Sequence, residues 1–146
     1  MKNKSIVLLI VVAILMILFV IVRKCFINRM FSEVLSDTLS INAAIAPELS
    51  KHNSNIEKFF SAATSNWQVL PYEDYDKIIA EVTRSHSLYI SKGWNASKPL
   101  LDRWGNRFEI KYHKLADGRY DIIVISKGPD GILGTKDDIS REDYGN

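Results

Sequence analysis

The feature that most constrains this chain is an unbroken run of 17 apolar residues, from residue 6 to residue 22. As an α-helix with a rise of about 1.5 Å per residue, the run would be about 26 Å long, close to the ~30 Å hydrocarbon core of a bilayer. Two lysines precede the run and Arg23 and Lys24 follow it, and such side chains extend toward the lipid headgroups. No small-x-small cleavage site ends the run. Residues 6–22 are therefore predicted to be an uncleaved transmembrane helix that contacts membrane lipid.

The orientation of this helix is not decided by charge, because basic residues flank the run on both sides. A single N-terminal span most often leaves its short end in the cytoplasm and exports the following domain. On that arrangement residues 1–5 are cytoplasmic and the domain is periplasmic or otherwise extracytoplasmic. The chain is thus predicted to be a single-pass protein of the inner (cytoplasmic) membrane.

A stem helix is predicted after the anchor, because apolar residues recur in pairs every four residues. The pairs are Phe26 and Ile27, Met30 and Phe31, and Val34 and Leu35, followed by Leu39 and Ile41. Proline forbids continuation at Pro47, so the stem covers residues 23–46 and a globular domain covers residues 47–146. Two arrangements remain open: one helix of about 40 residues, or two helices with a break near Arg23.

Charge is spread unevenly along the chain. Residues 1–30 hold five of its 19 lysines and arginines and none of its 17 acidic residues, so the domain that follows is mildly acidic. Because nucleic-acid binding depends on clustered Lys and Arg, nucleic acid is excluded as a partner. Cys25 is the single cysteine, so no intramolecular disulfide stabilises the fold. Cys25 is not preceded by the small residues of a lipoprotein site, and we interpret it as an unmodified thiol near the membrane.

The domain is predicted to combine two short helices with a β-hairpin. The helices cover residues 55–63 and residues 72 to about 86, and in the second one Ile78, Ile79 and Val82 face inward. Apolar residues then alternate with charged ones around Ile110, and a turn at residues 116–118 leads into a denser apolar strand at residues 120–125. The fold class is therefore α+β, with a long N-terminal helix, short helices and a small antiparallel sheet.

An acidic, glycine-rich segment follows the second strand, at residues 126–139. Its three glycines and one proline predict a loop, and Asp130, Asp137 and Asp138 repel one another there unless a cation or solvent separates them. Calcium prefers carboxylate and carbonyl oxygens, and glycines let backbone carbonyls turn inward. The lack of His and Cys does not suit zinc or copper, and the spacing is not that of an EF-hand. The residues alone leave two interpretations open, a calcium site and a solvated turn.

The residues that could support catalysis are scattered. His52, His86 and His113 stand apart from any nucleophile or metal-ligand spacing, and no phosphate-binding or protease motif occurs. The chain is therefore predicted not to be an enzyme, with no catalytic residues and no evident small-molecule substrate. An anchored hydrolase, the remaining enzymatic alternative, would need a pocket around His86 or His113. Residues 95–97 match the N-glycosylation acceptor pattern, a match we attribute to chance.

Two motifs, in this order, resemble the C-terminal half of the type II secretion major pseudopilin family. The first consists of Asp102, Trp104, Gly105 and Asn106 and resembles the Asp-x-Trp-Gly-Asn segment that leads into the family's sheet. The second, residues 126–138, resembles the family's calcium-binding loop. The resemblance covers residues 99–140. Apart from the resemblance, Asp102 is expected to cap a turn made by Gly105 and Asn106, and Trp104 to be a core aromatic residue.

The resemblance implies a pilin-like fold with one structural calcium ion in the C-terminal loop. By position it implies Asp130, Asp137 and Asp138 as side-chain ligands and the carbonyl of Lys127 as a backbone ligand. Family members also carry a leader that is cut after a glycine and a glutamate at the fifth position of the mature chain. Here no glycine precedes the apolar run and no acidic residue lies within it, so neither leader processing nor filament assembly by the usual route is expected.

Two functions remain as hypotheses. In the first, the chain is a non-enzymatic, calcium-stabilised structural component of a type II secretion or pilus-like system. Its partners would then be other pseudopilin-like subunits or secretion machinery. In the alternative, it is a stand-alone, membrane-anchored binding module that reuses the pseudopilin domain without forming a filament, and the missing leader features favour this reading.

Overall fold

The computed structural model describes residues 2–50, 55–85 and 99–143, with side chains from 9 to 50, 55 to 84 and 99 to 142. The chain divides into two compact units, Met1–Ser32 and Glu33–Asn146. Three features singled out in the sequence, His52, His86 and residues 95–97, lie outside the described residues.

The first unit belongs to helix α1, Lys2–Leu49. Its side chains from residue 9 to residue 29 are exposed, and Phe19, for example, is 69% exposed. Contact of such apolar surface with water costs about 25 cal/mol per Å², a cost that lipid tails remove. Helix α1 is long and apolar enough to span a membrane, which confirms that part of the prediction, although a signal sequence has the same properties.

The end of α1 differs from the prediction. The helix passes Arg23 without a break, contains Pro47 and ends at Leu49, whereas the stem was expected to end at residue 46. Proline lacks an amide donor, and its ring crowds the carbonyl four residues earlier. In the last turn of a helix both effects are confined to the end of the helix, and the earlier turns remain helical. The amide of Ser50 then donates to the carbonyls of Ala46 and Pro47, at 3.3 and 3.2 Å, and closes the helix.

The second unit contains the core. Val34, Ile41 and Ile45 from α1 are completely buried in it, which agrees with the periodic stem pattern. The segment predicted as a helix at residues 55–63 is instead a single 3₁₀ turn, Glu57–Phe60. A cluster of Ser, Thr and Asn follows this turn at residues 61–66. Such side chains compete for backbone hydrogen bonds, which explains why the turn does not continue as an α-helix.

Helix α2, Tyr72–Ser85, agrees with the prediction. The carbonyl of Pro71 accepts the amides of Asp74 and Tyr75, at 3.0 and 3.1 Å, and begins the helix. The first turn carries Glu73 and Asp74, whose charges favour the positive end of the helix dipole. The inward positions predicted for α2 are all buried, namely Ile78, Ile79 and Val82.

In the described part of the chain, the sheet has four antiparallel strands in the order β1-β2-β3-β4. Its centre is the predicted hairpin, β2 (Glu109–Lys114) and β3 (Tyr120–Ser126), which is confirmed. Two strands were not predicted, β1 (Gln68–Val69) at one edge and β4 (Ile139–Ser140) at the other. Each is two residues long, too short for an alternating pattern to reveal it. A second 3₁₀ turn, Arg141–Asp143, follows β4.

The pairing of β2 with β3 assigns side chains to the two faces of the sheet. Ile110 pairs with Val124 and Tyr112 with Ile122, and all four are buried. The ring of Phe60 packs edge-on against Tyr112 with centroids 5.0 Å apart, which places the 3₁₀ turn on this face. On the other face Glu109 pairs with Ile125 and is also buried, contrary to the simple alternation of apolar and charged residues.

Candidate cation-binding loop

The acidic loop, residues 127–138, connects the neighbouring antiparallel strands β3 and β4. Three of its residues have positive φ angles, Gly128 at 60°, Gly131 at 69° and Gly134 at 93°. Side chains disfavour this region of backbone conformation, and glycine adopts it at little steric cost. The glycines that predicted a loop in the sequence therefore also permit its backbone conformation.

Gly128 has a further reason to lack a side chain. A Cβ atom there would overlap the backbone carbonyl oxygen of Asp137 and would lie 2.7 Å from its Oδ2 atom. The beginning and the end of the loop thus approach each other at this point. This contact brings the backbone of Gly128, next to Lys127, against the predicted ligand Asp137.

Asp137 is held inside the loop by neighbouring donors. Its Oδ1 accepts a hydrogen bond from the hydroxyl of Thr135 at 2.6 Å, and its Oδ2 accepts one from the amide of Asp130 at 3.1 Å. The Thr135 hydroxyl and the Asp130 amide lower the pKa of Asp137, because they stabilise the charged form. Asp137 is therefore a carboxylate at neutral pH.

The other two aspartates fold the middle of the loop. Asp130 Oδ1 accepts the amide of Ile132 at 2.8 Å, and Asp138 Oδ2 accepts the amide of Gly134 at 2.7 Å. The second oxygen of Asp138, Oδ1, is buried and has no hydrogen-bond partner among the described residues. A buried acceptor without a donor is costly, by about 1–3 kcal/mol, so this oxygen is the one best suited to a cation.

The fit of a cation to this loop depends on oxygen atoms beyond the three carboxylates. No group of three or more His, Cys, Asp and Glu side chains is arranged to hold a metal ion in the described part of the chain. Backbone carbonyls, such as that of Lys127, would have to complete the coordination, which is a common arrangement for calcium. The donor set consists of hard oxygens and includes the unpartnered oxygen of Asp138, and in these two respects it fits calcium.

The motif at residues 102–106 forms the base of the loop. Asp102 Oδ1 accepts the amides of Trp104 at 3.0 Å and Asn106 at 2.8 Å, which confirms that Asp102 caps this turn. Gly105 has a positive φ of 87° within it. Trp104 is half-buried, so the expectation of a core aromatic residue is wrong for this position.

The same motif is also hydrogen-bonded to the loop, a connection that the sequence did not reveal. Asp102 Oδ2 accepts the hydroxyl of Ser126 at 2.6 Å, and the Ser126 oxygen in turn accepts the amide of Gly128 at 3.2 Å. The side-chain amide of Asn106 donates to the carbonyl of Gly128 at 2.9 Å. The two motifs thus form one hydrogen-bonded unit at the start of the loop.

The side chain of Lys127 points away from the aspartates. Its Nζ atom donates to the hydroxyl of Tyr72 at 2.8 Å and lies 3.4 Å from Oε1 of Glu109. The hydrogen bond to Tyr72 raises the pKa of Lys127, burial opposes this, and the charge of Glu109 adds to the increase. Lys127 therefore explains why Glu109 is buried on a face where the sequence predicted exposed charge.

His113 lies on the same face of the sheet as Glu109, away from the loop. Its ring packs on Trp67 with centroids 4.1 Å apart, and its Nε2 is 3.5 Å from Oδ2 of Asp121. A nearby open cavity of about 330 Å³ is lined mainly by Trp67, Val69, Lys111, Ile123, Ile125 and Glu142. His113 is a contact of Asp121 and Trp67 and not a lining residue of this cavity.

Comparison of the chain with protein-family models, with curated proteins and with solved structures found no match.

Proposed function

We propose that this chain is a membrane-anchored, pseudopilin-like structural protein of a type II secretion or pilus-like system, non-enzymatic, with a C-terminal loop that holds one calcium ion. The observation that carries this proposal is the hydrogen-bonded unit formed by residues 102–106 and 126–128. These are the two segments in which the chain resembles the pseudopilin family, and they meet at the base of the acidic loop.

The architecture of the chain supports this proposal. Helix α1 begins as an exposed apolar segment and ends with buried residues in the core of the second unit. A subunit of a membrane-based assembly needs both properties in one helix, since one part contacts lipid and the other supports an exported domain. Its partners would be other pseudopilin-like subunits or components of secretion machinery, and its location would be the inner membrane.

The proposed calcium ion has a structural role. When bound, it would neutralise Asp130, Asp137 and Asp138 and would provide a partner for the buried Asp138 Oδ1. In the described residues none of these three carboxylates is paired with a lysine or an arginine. Ion binding to the folded loop would therefore stabilise the native state over the unfolded chain.

The calcium proposal is tested by thermal unfolding of the full chain in detergent, with excess calcium chloride and with a chelator. At a free calcium concentration of about 100 times Kd, the native state gains about 2.7 kcal/mol, which for a domain of this size raises Tm by at least about 10 °C. Magnesium chloride at the same concentration serves as the ionic-strength control. Equal Tm values with calcium and with chelator would refute a calcium ion in this loop.

A second function is favoured by one feature of the N-terminal sequence. No acidic residue lies in the apolar run of residues 6–22, whereas the pseudopilin family carries a glutamate at the fifth position of its mature chain. The alternative is a stand-alone anchored module that binds a partner without forming a filament.

Cysteine cross-linking in cells separates these two functions. Cys25, which is exposed, is first replaced by serine, and single cysteines are then placed at the exposed stem positions Ser36 and Ala43. With a bifunctional thiol reagent, subunits of a filament should give covalent dimers in each single-cysteine variant, and a ladder of longer species when both cysteines are present in one chain. A monomer at both positions, under conditions that cross-link a known filament subunit, would favour the stand-alone module.

A further inference from the structure

Lys127, the first residue of the acidic loop, is attached by its side chain to two other elements of the fold. Its Nζ donates to the hydroxyl of Tyr72, the first residue of α2, at 2.8 Å. The same hydroxyl donates to Oε1 of Glu109, the first residue of β2. The three side chains form a cluster in which Lys127 is 16% exposed and Glu109 is 8% exposed.

Tyr72 is the central member of this cluster. Its hydroxyl accepts one hydrogen bond and donates the other, so it links the ammonium group of Lys127 to the carboxylate of Glu109. The guanidinium group of Arg107 lies 5.7 Å from the centre of its ring and forms an ion pair with Asp76 at 3.1 Å. The Nζ atom of Lys127 also lies 5.4 Å from the ring centre, so these contacts hold the Tyr72 side chain although it is 40% exposed.

The cluster has two consequences for the loop. An anchored ammonium group restricts the side-chain rotamers of Lys127 and, through them, limits the movement of its backbone carbonyl before an ion binds. In addition, Glu109 offsets a positive charge that would otherwise repel a cation in the loop. Both effects pass through Lys127, whose carbonyl is the backbone ligand implied for calcium.

We propose that Tyr72 is a positioning residue for the cation-binding loop, acting through the side chain of Lys127 from a place 55 residues earlier in the chain. This inference depends on the proposed calcium site. It adds a contribution from helix α2, which lies outside both motifs that resemble the pseudopilin family.

The test is a calorimetric titration of the full chain in detergent with calcium chloride. Tyr72→Phe keeps the ring and the charge of the protein and removes the hydrogen bonds to Lys127 and Glu109. Outer contacts of metal ligands contribute about 10–100-fold to affinity, and at this distance we expect the lower end, an increase in Kd of about 10-fold. The matched control is Tyr75→Phe in the same helix, whose hydroxyl is 3.4 Å from the carbonyl of Leu100 and which should leave Kd unchanged.

A second variant separates position from charge. If Lys127 acted only as a charge near the loop, Lys127→Met would remove a repulsion and tighten calcium binding. If its side chain positions the backbone, the same change weakens binding, and Tyr72→Phe then has no additional effect in the Lys127→Met background. Should Tyr72→Phe fail to fold, Lys127→Met alone decides: weaker binding supports the positioning role and tighter binding overturns it.

The outcomes also distinguish this inference from the function on which it depends. A wild-type chain that binds no calcium would overturn the calcium site and, with it, the role of Tyr72. A wild-type chain that binds calcium, together with a folded Tyr72→Phe variant of equal Kd, would overturn the positioning role alone.

Discussion

The side-chain amide of Asn106 donates a hydrogen bond to the carbonyl oxygen of Gly128 at 2.9 Å. This contact joins the turn that precedes β2 to the first residues of the loop that follows β3, across 22 positions in sequence. Because Asn106 also donates its backbone amide to Asp102, one residue fixes both the turn and the loop. The acidic loop is therefore built on the hairpin and does not extend from it as a free segment.

Replacing Asn106 tests this connection. We expect Asn106→Ala to destabilise the fold by about 1–2 kcal/mol, since the carbonyl of Gly128 loses its donor in a partly buried site. Urea unfolding measures the loss, and amide hydrogen exchange should show faster exchange in the loop at residues 128–138. Asn55→Ala, which removes an exposed hydrogen bond to Glu81, is the control and should change stability by less than about 0.5 kcal/mol. Equal effects of the two substitutions would contradict the structural role of Asn106.

Two glycines of the loop make a matched pair. Gly128 and Gly134 both have positive φ, so alanine at either position is strained by about 1–2 kcal/mol. Only at Gly128 would the added Cβ also overlap the backbone of Asp137, whereas at Gly134 it meets nothing within 4 Å. In chemical unfolding, Gly128→Ala should therefore be less stable than Gly134→Ala by about 1–3 kcal/mol. Similar stabilities would show that the close approach of Gly128 and Asp137 does not exist in solution.

The substitution Asp138→Asn should affect stability differently with and without calcium. Asp138→Asn removes one of three neighbouring negative charges, so in chelator the variant should be at least as stable as the wild type. In excess calcium the wild type should gain stability and the variant should gain much less, because a charged ligand is lost. Differential scanning calorimetry under both conditions measures the two effects. Asp117→Asn, in the exposed turn of the hairpin, is the control and should keep the full calcium response.

Acid sensitivity should depend on Asp121. Burial by itself raises the pKa of Asp121, but the hydrogen bond and charge of Arg141, with smaller contributions from Ile122 and His113, bring it below the ordinary value of 3.8. A depressed carboxyl pKa adds stability above the unfolded pKa, and this stability is lost as pH falls through the folded pKa. In chelator at pH 7, Arg141→Met should be less stable than the wild type by about 1 kcal/mol. This difference in stability should shrink below about pH 4. A difference that stays constant with pH would contradict this linkage.

Elements set by interactions between near neighbours in the sequence were predictable, and elements that depend on distant contacts were not. Helix α1, helix α2 and the central hairpin are visible in the sequence because periodic burial sets each of them locally. The helix expected at residues 55–63 shortened to Glu57–Phe60, and β1 and β4 were missed, because two-residue strands exist only through pairing with β2 and β3. Pro47 marked a boundary in the sequence, yet the helix tolerates it in its last turn.

The candidate site also has a part that the sequence predicted and a part that it did not. Glycines and aspartates in the sequence were enough to predict the loop, and their hydrogen bonds are mostly between near neighbours, as between Asp138 and Gly134. The hydrogen bonds that attach the loop to the rest of the domain were not predictable. Asp102 contacts Ser126, and Lys127 contacts Tyr72, only after the sheet has formed. No local pattern encodes contacts across 24 or 55 positions.

The order of residues is enough to predict a helix able to span a membrane, followed by an α+β domain with an acidic loop, because apolar periodicity and glycine act within a few residues. Only the folded domain shows that Glu109 is buried, that the ammonium group of Lys127 bonds to Tyr72, and that one oxygen of Asp138 has no hydrogen-bond partner among the described residues. Those properties depend on which distant side chains exclude water and supply hydrogen bonds, and only the packed domain specifies them.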